Sequence, residues 1–261
     1  MKTKYETLSL EQFDKHILIV KMVKPEVLNA MNTKMGLELR ELWCEFYQEP
    51  EIARCIILTG EGTKGFCAGG DLKERNDMKD EAWRYQHAKG IKAMLNCPIP
   101  IIAAVNGVAF GGGWELALNC DFIYAEEYSR CALPEVKLGI MPGAGGTQNM
   151  PRAVGVRRAK EIVLTGAQFS SADAFSWGMV NKVCPTGSLM TEVLNAAQLI
   201  STNAPMSVRK AKKSLTMAAQ VDVKGGYEFE IEAYNRLVPM NDRLEGINAF
   251  NEKRSTDFKG Y

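Results

Sequence analysis

Two glutamates lie in otherwise apolar stretches of the sequence, each beside a glycine-rich segment. Glu115 occurs in GGGWELAL and Glu135 occurs in ALPEVKLGIMPG. A lone carboxylate is costly to bury in apolar surroundings unless it is paired or functional. Either residue alone is more typical of a helix cap or a salt bridge. Together they favour acid–base chemistry, because two carboxylates with pKa values tuned by burial can hold a water molecule and move protons.

Two glycine-rich turns accompany these carboxylates. The segments FCAGGD (66–71) and AFGGGWE (109–115) both follow apolar stretches that read as strands. Glycine permits positive φ and lets the backbone approach a ligand closely. Two such turns could aim two backbone N–H groups at one point, which is the geometry of an oxyanion hole. The alternative, that both are only tight turns, stays open from the residues alone.

A G-x-G-x-x-G pattern formed by Gly60, Gly62 and Gly65 raises the question of a dinucleotide-binding loop. That loop requires a helix that opens at the third glycine and an acidic residue about 20 residues further on, at the end of a strand. Here Gly69 and Gly70 follow soon after and disfavour a helix. We therefore predict that this pattern does not bind a dinucleotide.

Composition excludes several classes of protein. The chain has 261 residues, 46% hydrophobic and 24% charged, with a formal net charge of +1, which gives no sign of a nucleic-acid or membrane partner. Seven cysteines without a C-x-x-C pair, and an N-terminus without an apolar signal segment, indicate a reducing, cytoplasmic location. With two histidines, His16 and His87, a histidine-based zinc site or a serine–histidine triad is not expected.

Strand and helix patterns alternate over the first two thirds of the chain, which predicts an α/β fold, and the last third is helical. We predict a core over 1–200 and a helical C-terminal region over 201–261. Strands are expected at 16–23, 53–60, 97–107, 121–127, the start of 133–148 and 180–185. Helices are expected at 33–49, 80–96, 111–120, 152–165, 171–177, 189–202, 206–219, 226–237 and 243–253.

At the glycine turns and glutamates the sequence resembles the crotonase superfamily, and within it the enoyl-CoA hydratases. The matching segments are GFCAGGDLKE (65–74), AAVNGVAFGGGWELALNCDFIYA (103–125), LPEVKLGIMPGAGGTQNMPRAVG (133–155) and GINAFNEKRSTDF (246–258). The resemblance implies a spiral of ββα units with a helical C-terminal extension that assembles trimers or dimers of trimers. It also implies an acyl-CoA thioester substrate, with no metal or redox cofactor, since coenzyme A is part of the substrate.

The resemblance assigns roles to particular residues. The N–H groups of Gly70 and Gly112 would hold the thioester oxygen. Glu115 and Glu135 match both catalytic glutamates of the hydratases, which implies hydration of a trans-2-enoyl-CoA to a 3-hydroxyacyl-CoA. Coenzyme A would contact Lys24, Val27, Ala68, Gly70, Asp71, Leu72, Lys73 and Gly112. Its 3′-phosphate would meet Lys253 or Arg254.

Other readings remain. Within the superfamily these are an isomerase, a decarboxylase, a hydrolase and a methylglutaconyl-type hydratase; isomerases typically keep only the second glutamate. An RNA-binding relative is a further alternative, and the basic run SVRKAKKS (207–214) bears on it, although such a run is usually a solvated helix face. Three residues need separate comment, because they differ from the residues common in the family or could be assigned a further catalytic role. Trp114 and Cys67 are predicted to be core residues, and Asn149 stands where a basic residue is common.

Overall fold

Two β-sheets organise the protein in the computed structural model, which describes residues 4–78 and 90–261. The strands of this part of the chain are β1 Leu8–Gln12, β2 Ile17–Met22, β3 Cys55–Gly60, β4 Gly65–Cys67, β5 Ile101–Val105, β6 Val108–Phe110, β7 Phe122–Glu126, β8 Arg130–Ala132, β9 Gln168–Ser170 and β10 Lys182–Cys184. The larger sheet has the order β1-β2-β3-β5-β7-β10, and the smaller has the order β4-β6-β8-β9.

Helices connect and cover these strands. Those that begin and end within the described residues are α1 Thr33–Gln48, α2 Leu72–Asp77, α3 Gly112–Leu118, α4 Gly146–Thr165, α5 Ser171–Ser176, α6 Leu189–Ser201, α7 Pro205–Ala218, α8 Val223–Asn235 and α9 Asn241–Glu252. Short 3₁₀ segments lie at Pro25–Val27, Pro50–Ile52 and Glu135–Leu138. Of the helix predicted over 80–96, residues 90–94 are helical, and 80–89 lie outside the described residues, as does His87.

Strands of the two sheets alternate along the chain. In the larger sheet all neighbours are parallel except β1 and β2, and in the smaller sheet only β8 and β9 are antiparallel. Each of β3, β5 and β7 is followed directly by a strand of the smaller sheet. A helix then follows β4 and β6. These are the ββα units that the resemblance implied, and the predicted α/β class is confirmed.

The register of the smaller sheet brings the glycine turns together. β4 and β6 are parallel neighbours, and Cys67 pairs with Ala109. The turn after β4 contains Gly69 and Gly70, and the turn after β6 contains Gly111 and Gly112. Because the carboxyl ends of parallel neighbours lie at the same edge of a sheet, the two turns emerge side by side.

Apolar side chains cover both faces of the larger sheet. Leu18 and Val20 of β2 belong to the main core, which also contains the buried apolar side chains of α1. Ile17 and Ile19, on the opposite face of the same strand, pack in a second cluster against α6. This alternation follows from the two-residue period of a strand. A sheet covered on both faces explains why its central strands are almost entirely apolar.

The strand expected at the start of 133–148 is wrong. β8 ends at Ala132, and a 3₁₀ segment begins at Glu135. Pro134 has no N–H to donate to a neighbouring strand, so it ends the pairing. α4 also begins earlier than predicted, at Gly146, and is interrupted at Gly155, whose φ of 77° and ψ of 157° are not helical.

The basic run 207–214 lies on α7 and is less solvated than expected. Arg209 is buried and forms an ion pair with Glu51, and Lys212 pairs with Asp121. These contacts fasten α7 to the rest of the fold. In the part of the chain that the structure describes, the helices are too short or too polar to cross a bilayer.

Candidate active site

The two glycine turns pack against each other. Gly69 and Gly111 have φ values of +92° and +53°, in the left-handed region that side chains other than glycine rarely adopt. A Cβ added to Gly69 would lie 2.7 Å from the carbonyl oxygen of Phe110 and 3.5 Å from the nitrogen of Gly112. The positive φ values are therefore required by the turns, and the close approach explains why Gly69 has no side chain.

The residue after each of these glycines has a backbone N–H that finds no acceptor among the described residues. Gly70 lies beside Met31, but Met31 supplies both hydrogen bonds of that bridge: its N–H donates to Gly69 and its carbonyl accepts from Asp71. Gly112 is the first residue of α3. Neither the N–H of Gly70 nor that of Gly112 donates to another described residue. Both line one cavity, so the arrangement can accept a partly negative oxygen.

Glu115 lies in the same cavity wall, on the first turn of α3. Its side chain is buried, and Oε1 accepts hydrogen bonds from the N–H groups of Ala144 and Gly146, both at 2.8 Å. Burial raises the pKa of Glu115, and these backbone hydrogen bonds oppose the rise. The carboxylate is consequently fixed in one orientation by the loop that precedes α4.

Glu135 begins the 3₁₀ segment after β8. It is buried, and its Oε2 has no hydrogen-bond partner among the described residues. Its Oε1 adjoins the second glycine turn, 3.2 Å from where a Cβ on Gly111 would lie. Burial raises the pKa of Glu135 from 4.5 to about 7, and the charge of Glu115 adds to the rise. Near neutral pH this carboxyl can thus both donate and accept a proton.

Two asparagines hold the loop that orients Glu115. The Nδ2 group of Asn119 donates to the carbonyl oxygens of Glu115 at 2.7 Å and Ala144 at 3.0 Å. Asn149 Nδ2 in turn donates to Asn119 Oδ1 at 2.9 Å. Asn149, which had no interpretation from the sequence, therefore fixes the amide that ties α3 to the Glu115-binding loop.

Arg75 is a cavity residue that the sequence reasoning missed. It lies on α2, and its guanidinium packs on Gly70 in the space that a Cβ there would need. Burial lowers the pKa of Arg75, whereas the charges of Glu135 and Glu115 raise it. The sequence places Arg75 four residues after Asp71, which is one helical turn, and this spacing could have indicated that Arg75 lies near the glycine turn. In the structure the carbonyl oxygen of Asp71 accepts a hydrogen bond from the Arg75 N–H.

The cavity that these residues share has a volume of about 570 Å³. Its walls include six of the ten predicted site residues: Ala68, Gly70, Leu72, Gly112, Glu115 and Glu135. The remaining four, Lys24, Val27, Asp71 and Lys73, do not line it.

Lys24 and Asp71 interact with each other, at 3.2 Å between Lys24 Nζ and Asp71 Oδ2. The Asp71 carboxylate also caps α2 by accepting the N–H groups of Lys73 and Glu74. These hydrogen bonds and Lys24 lower the pKa of Asp71, against a rise from burial. The structure therefore shows Asp71 orienting the helix that carries Arg75.

Three further predictions from the sequence are confirmed. Trp114 is fully buried and packs edge-on against Phe169, with ring centroids 5.6 Å apart. Cys67 is fully buried, and burial raises the pKa of its thiol to about 12, so it remains protonated at neutral pH. Gly65 begins strand β4 rather than a helix, as expected for a pattern that is not a dinucleotide-binding loop.

Comparison with known proteins gives one consistent result. The family model for enoyl-CoA hydratase/isomerase matches residues 12–261. A putative enoyl-CoA hydratase/isomerase, YngF of Bacillus subtilis, is 40% identical over 250 residues, which are 95% of this chain and 96% of YngF. A mitochondrial enoyl-CoA hydratase of Pongo abelii is 38% identical, covering 92% of this chain and 83% of the relative. The crystal structure of an enoyl-CoA hydratase from Bacillus anthracis superimposes with a TM-score of 0.95 at 38% identity, covering 98% of this chain and 100% of that one.

Proposed function

The chain belongs to the enoyl-CoA hydratase/isomerase family, and from that premise we propose that it adds water to a trans-2-enoyl-CoA in a syn fashion, giving the 3-hydroxyacyl-CoA. The observation that carries this proposal is the presence of two buried carboxylates, Glu115 and Glu135, in one cavity with the two N–H groups of Gly70 and Gly112.

The glycine N–H groups would act on the thioester. In the proposed reaction the thioester oxygen accepts hydrogen bonds from Gly70 and Gly112, which polarises the conjugated double bond. Water attacks C3, and the enolate-like negative charge develops on that oxygen. Loss of one such donor typically raises the barrier by about 2.7–4 kcal/mol. The absence of another acceptor for either N–H among the described residues supports this role.

The two glutamates would divide the proton transfers. Glu115, oriented by Ala144 and Gly146, would position the water and take its proton. Glu135 would hold the same water and deliver a proton to C2, which its pKa of about 7 supports. Two carboxylates at one water favour hydration over isomerisation, because moving a proton between carbons of the acyl chain needs only one base. In this reaction water is the second substrate, and no metal or redox cofactor takes part.

Coenzyme A would lie across the mouth of the cavity. We keep Lys24, Val27, Ala68, Asp71, Leu72 and Lys73 as its proposed contacts; of these, Ala68 and Leu72 line the cavity itself. For the 3′-phosphate, Lys253 is preferred over Arg254. Arg254 already forms ion pairs of 2.6 Å with Glu245 and with Glu252, and Lys253 is exposed.

We also propose that the protein assembles as a homotrimer or as a hexamer of two trimers, through residues 201–261. Helices α8 and α9 bury few of their own side chains and present large apolar ones to solvent. Contiguous apolar surface of this kind marks an interface. The exposed apolar residues of this region include Val223, Tyr227, Ile231, Tyr234, Leu244, Ile247 and Phe250.

All seven cysteines are free thiols, which supports the cytoplasmic location inferred from the sequence.

The hydratase proposal is tested with crotonyl-CoA. We expect loss of the conjugated enoyl-thioester absorbance, with a product heavier by one water molecule in mass spectrometry. Glu115→Gln and Glu135→Gln should each slow the reaction by about 10²- to 10⁴-fold, the usual range for loss of a general acid or base. Retention of binding to a saturated acyl-CoA in both variants serves as the folding control. A wild-type protein that binds acyl-CoA but hydrates no 2-enoyl-CoA would contradict the proposal.

A further inference from the structure

Residues 24–31 run alongside the glycine turn that carries Gly70. Three backbone hydrogen bonds join the two segments: from the N–H of Ala68 to Leu28 at 3.0 Å, from the N–H of Met31 to Gly69 at 2.7 Å, and from the N–H of Asp71 to Met31 at 2.8 Å. They fix the backbone on both sides of Gly70 and leave its own N–H without an acceptor among the described residues. The direction of the Gly70 N–H therefore depends on where residues 24–31 lie.

Asn29 holds these residues in place with a fully buried side-chain amide. Its Oδ1 accepts the N–H of Lys24 at 2.9 Å, and its backbone N–H donates back to the carbonyl of Lys24 at 2.9 Å. Its Nδ2 donates to the carbonyl oxygens of Glu61 at 3.0 Å and Gly65 at 2.8 Å. The amide thus closes the loop that begins at Lys24 and ties it to the connection between β3 and β4.

The backbone of this loop contains two consecutive residues in the left-handed region. The φ values are 53° at Leu28 and 57° at Asn29. Leucine is rarely found in this region, whereas asparagine is among the residues other than glycine that tolerate it best. Such a conformation persists only where the surrounding contacts hold it. The hydrogen bonds of the Asn29 amide supply those contacts, so without them we expect residues 24–31 to relax.

The first and last glycines of the G-x-G-x-x-G pattern make room for the same loop. A Cβ added to Gly60 would lie 2.5 Å from Asn29 Nδ2 and would also collide with the carbonyl oxygen of Gly65. A Cβ added to Gly65 would lie 2.9 Å from the Cβ of Leu28. The pattern that raised the question of a dinucleotide-binding loop is therefore the surface on which residues 24–31 pack.

Resting on the oxyanion role proposed above for Gly70, we propose that Asn29 is a positioning residue of the reaction. Its amide holds residues 24–31 in the form that aims the Gly70 N–H at the thioester oxygen. Asn29 does not line the cavity and acts through the backbone alone. The aim of this donor matters most in the transition state, where the oxygen carries the most negative charge. Loss of the amide should therefore lower kcat more than it weakens substrate binding.

Two substitutions test this role with crotonyl-CoA. Asn29→Gly removes the amide but accommodates the positive φ, so the fold is kept. It should lower kcat by about 10- to 100-fold, less than the roughly 10²- to 10³-fold typical of removing an oxyanion donor altogether. KM should change by less than about threefold, as expected for an interaction made mainly in the transition state. Asn29→Ser, whose hydroxyl can replace one of the hydrogen bonds, should recover part of the loss.

Thr59→Val is the matched control, because Thr59 is also buried and directly precedes Gly60. Its hydroxyl donates to the carbonyl of Ala104 at 2.8 Å and forms no hydrogen bond with residues 24–31. The substitution removes a buried hydrogen bond without touching the loop, and it should leave kcat unchanged. A loss in Thr59→Val equal to that in Asn29→Gly would overturn the proposal, because general destabilisation would then explain both.

Infrared spectroscopy of bound butanoyl-CoA, labelled with ¹³C at the thioester carbonyl, reports on the donor without turnover. In the wild-type protein the carbonyl band should lie at lower wavenumber than in water, because hydrogen bonds to the oxygen weaken the C=O bond. In Asn29→Gly it should move back toward its position in water, and in Thr59→Val it should not. A band without a downshift in the wild-type protein, or one that is identical in Asn29→Gly, would refute the positioning role.

Binding of free coenzyme A, measured by calorimetry, separates this role from a contact made through Lys24. Asn29→Gly should leave that affinity within about threefold of the wild type. Losses confined to KM and to the affinity for coenzyme A would make Asn29 a support of the coenzyme A site and overturn the proposal. An Asn29-dependent downshift of the carbonyl band in a protein that hydrates no 2-enoyl-CoA would retain the positioning role and refute hydration alone.

Discussion

Glu135→Gln is expected to make the folded protein more stable at high pH, although it removes a residue proposed to be catalytic. The pKa of Glu135 is raised from 4.5 to about 7 by burial and by the charge of Glu115. A carboxyl whose pKa is higher in the folded state favours folding while it is protonated. That contribution is complete below pH 4.5 and is lost as the pH rises to about 7. Glutamine keeps the shape of the protonated carboxyl and never ionises.

The size of the effect follows from the same two values. The interval between 4.5 and about 7, at about 1.4 kcal/mol per pKa unit, corresponds to at most about 3 kcal/mol. The variant's advantage in free energy of unfolding should therefore grow by up to about 3 kcal/mol between pH 4.5 and pH 8. Urea unfolding at several pH values and one fixed protein concentration measures it, since any oligomer makes stability depend on concentration.

Glu49→Gln is the control for the loss of one negative charge, because Glu49 is exposed and outside the cavity. Its effect on the free energy of unfolding should stay nearly constant over the same pH range. If Glu135→Gln gave the same flat difference as Glu49→Gln, the environment of Glu135 would not favour its protonated form. The argument that Glu135 supplies a proton near neutral pH would then lose its basis.

Three further predictions concern the site and the assembly. The pH dependence of kcat/KM for enoyl-CoA hydration should be bell-shaped. Activity falls as the pH rises past about 7, where Glu135 loses its proton, and it also falls at low pH, where Glu115 becomes protonated. The two apparent pKa values of this profile belong to the coupled pair of glutamates. Asn149→Leu removes the donor to Asn119 Oδ1 and should lower kcat several-fold with little change in KM. Gln148→Leu, at the exposed neighbouring position, should leave both kinetic constants unchanged. An equal effect of the two substitutions would refute the positioning role of Asn149. Phe250→Glu places a charge on the exposed apolar face of α9 and should reduce the mass of the assembly measured by light scattering. Glu252→Gln should leave that mass unchanged. An unchanged mass for Phe250→Glu would place the interface elsewhere.

The glycine turns and the strands before them could be predicted because their signals are local. An apolar stretch followed by glycines specifies a strand and a tight turn, and the helix after Gly111 has its own start signal in the sequence. The rejection of a dinucleotide-binding loop at Gly65 needed only its neighbours Gly69 and Gly70. Parallel pairing of β4 with β6 then brings the turns together, and no local pattern in the sequence specifies that pairing.

The parts that could not be predicted depend on contacts between distant segments. Arg75 reads as an ordinary charged residue of a short helix until the fold brings it beside Glu115 and Glu135. Asn119 and Asn149 are 30 positions apart and meet only because α3 and α4 pack together. Similarly, nothing in SVRKAKKS reveals that Arg209 would pair with Glu51, 158 positions away.

The three consecutive glycines at 111–113 show how one sequence motif combines separate requirements. Gly111 supplies a positive φ beside the Glu135 carboxylate, where a Cβ would lie 3.2 Å from Oε1. At Gly112 a Cβ would lie 3.0 Å from the terminal methyl of Met31, a flexible side chain that can move. At Gly113 a Cβ would collide with the backbone of Cys67 in β4, which cannot move without breaking the smaller sheet. Alanine at Gly113 should therefore disturb the fold most, and alanine at Gly112 mainly the access of a ligand oxygen to its N–H. The last glycine of the motif fixes the distance between α3 and β4, and through it the alignment of the two N–H groups on which the proposed chemistry depends.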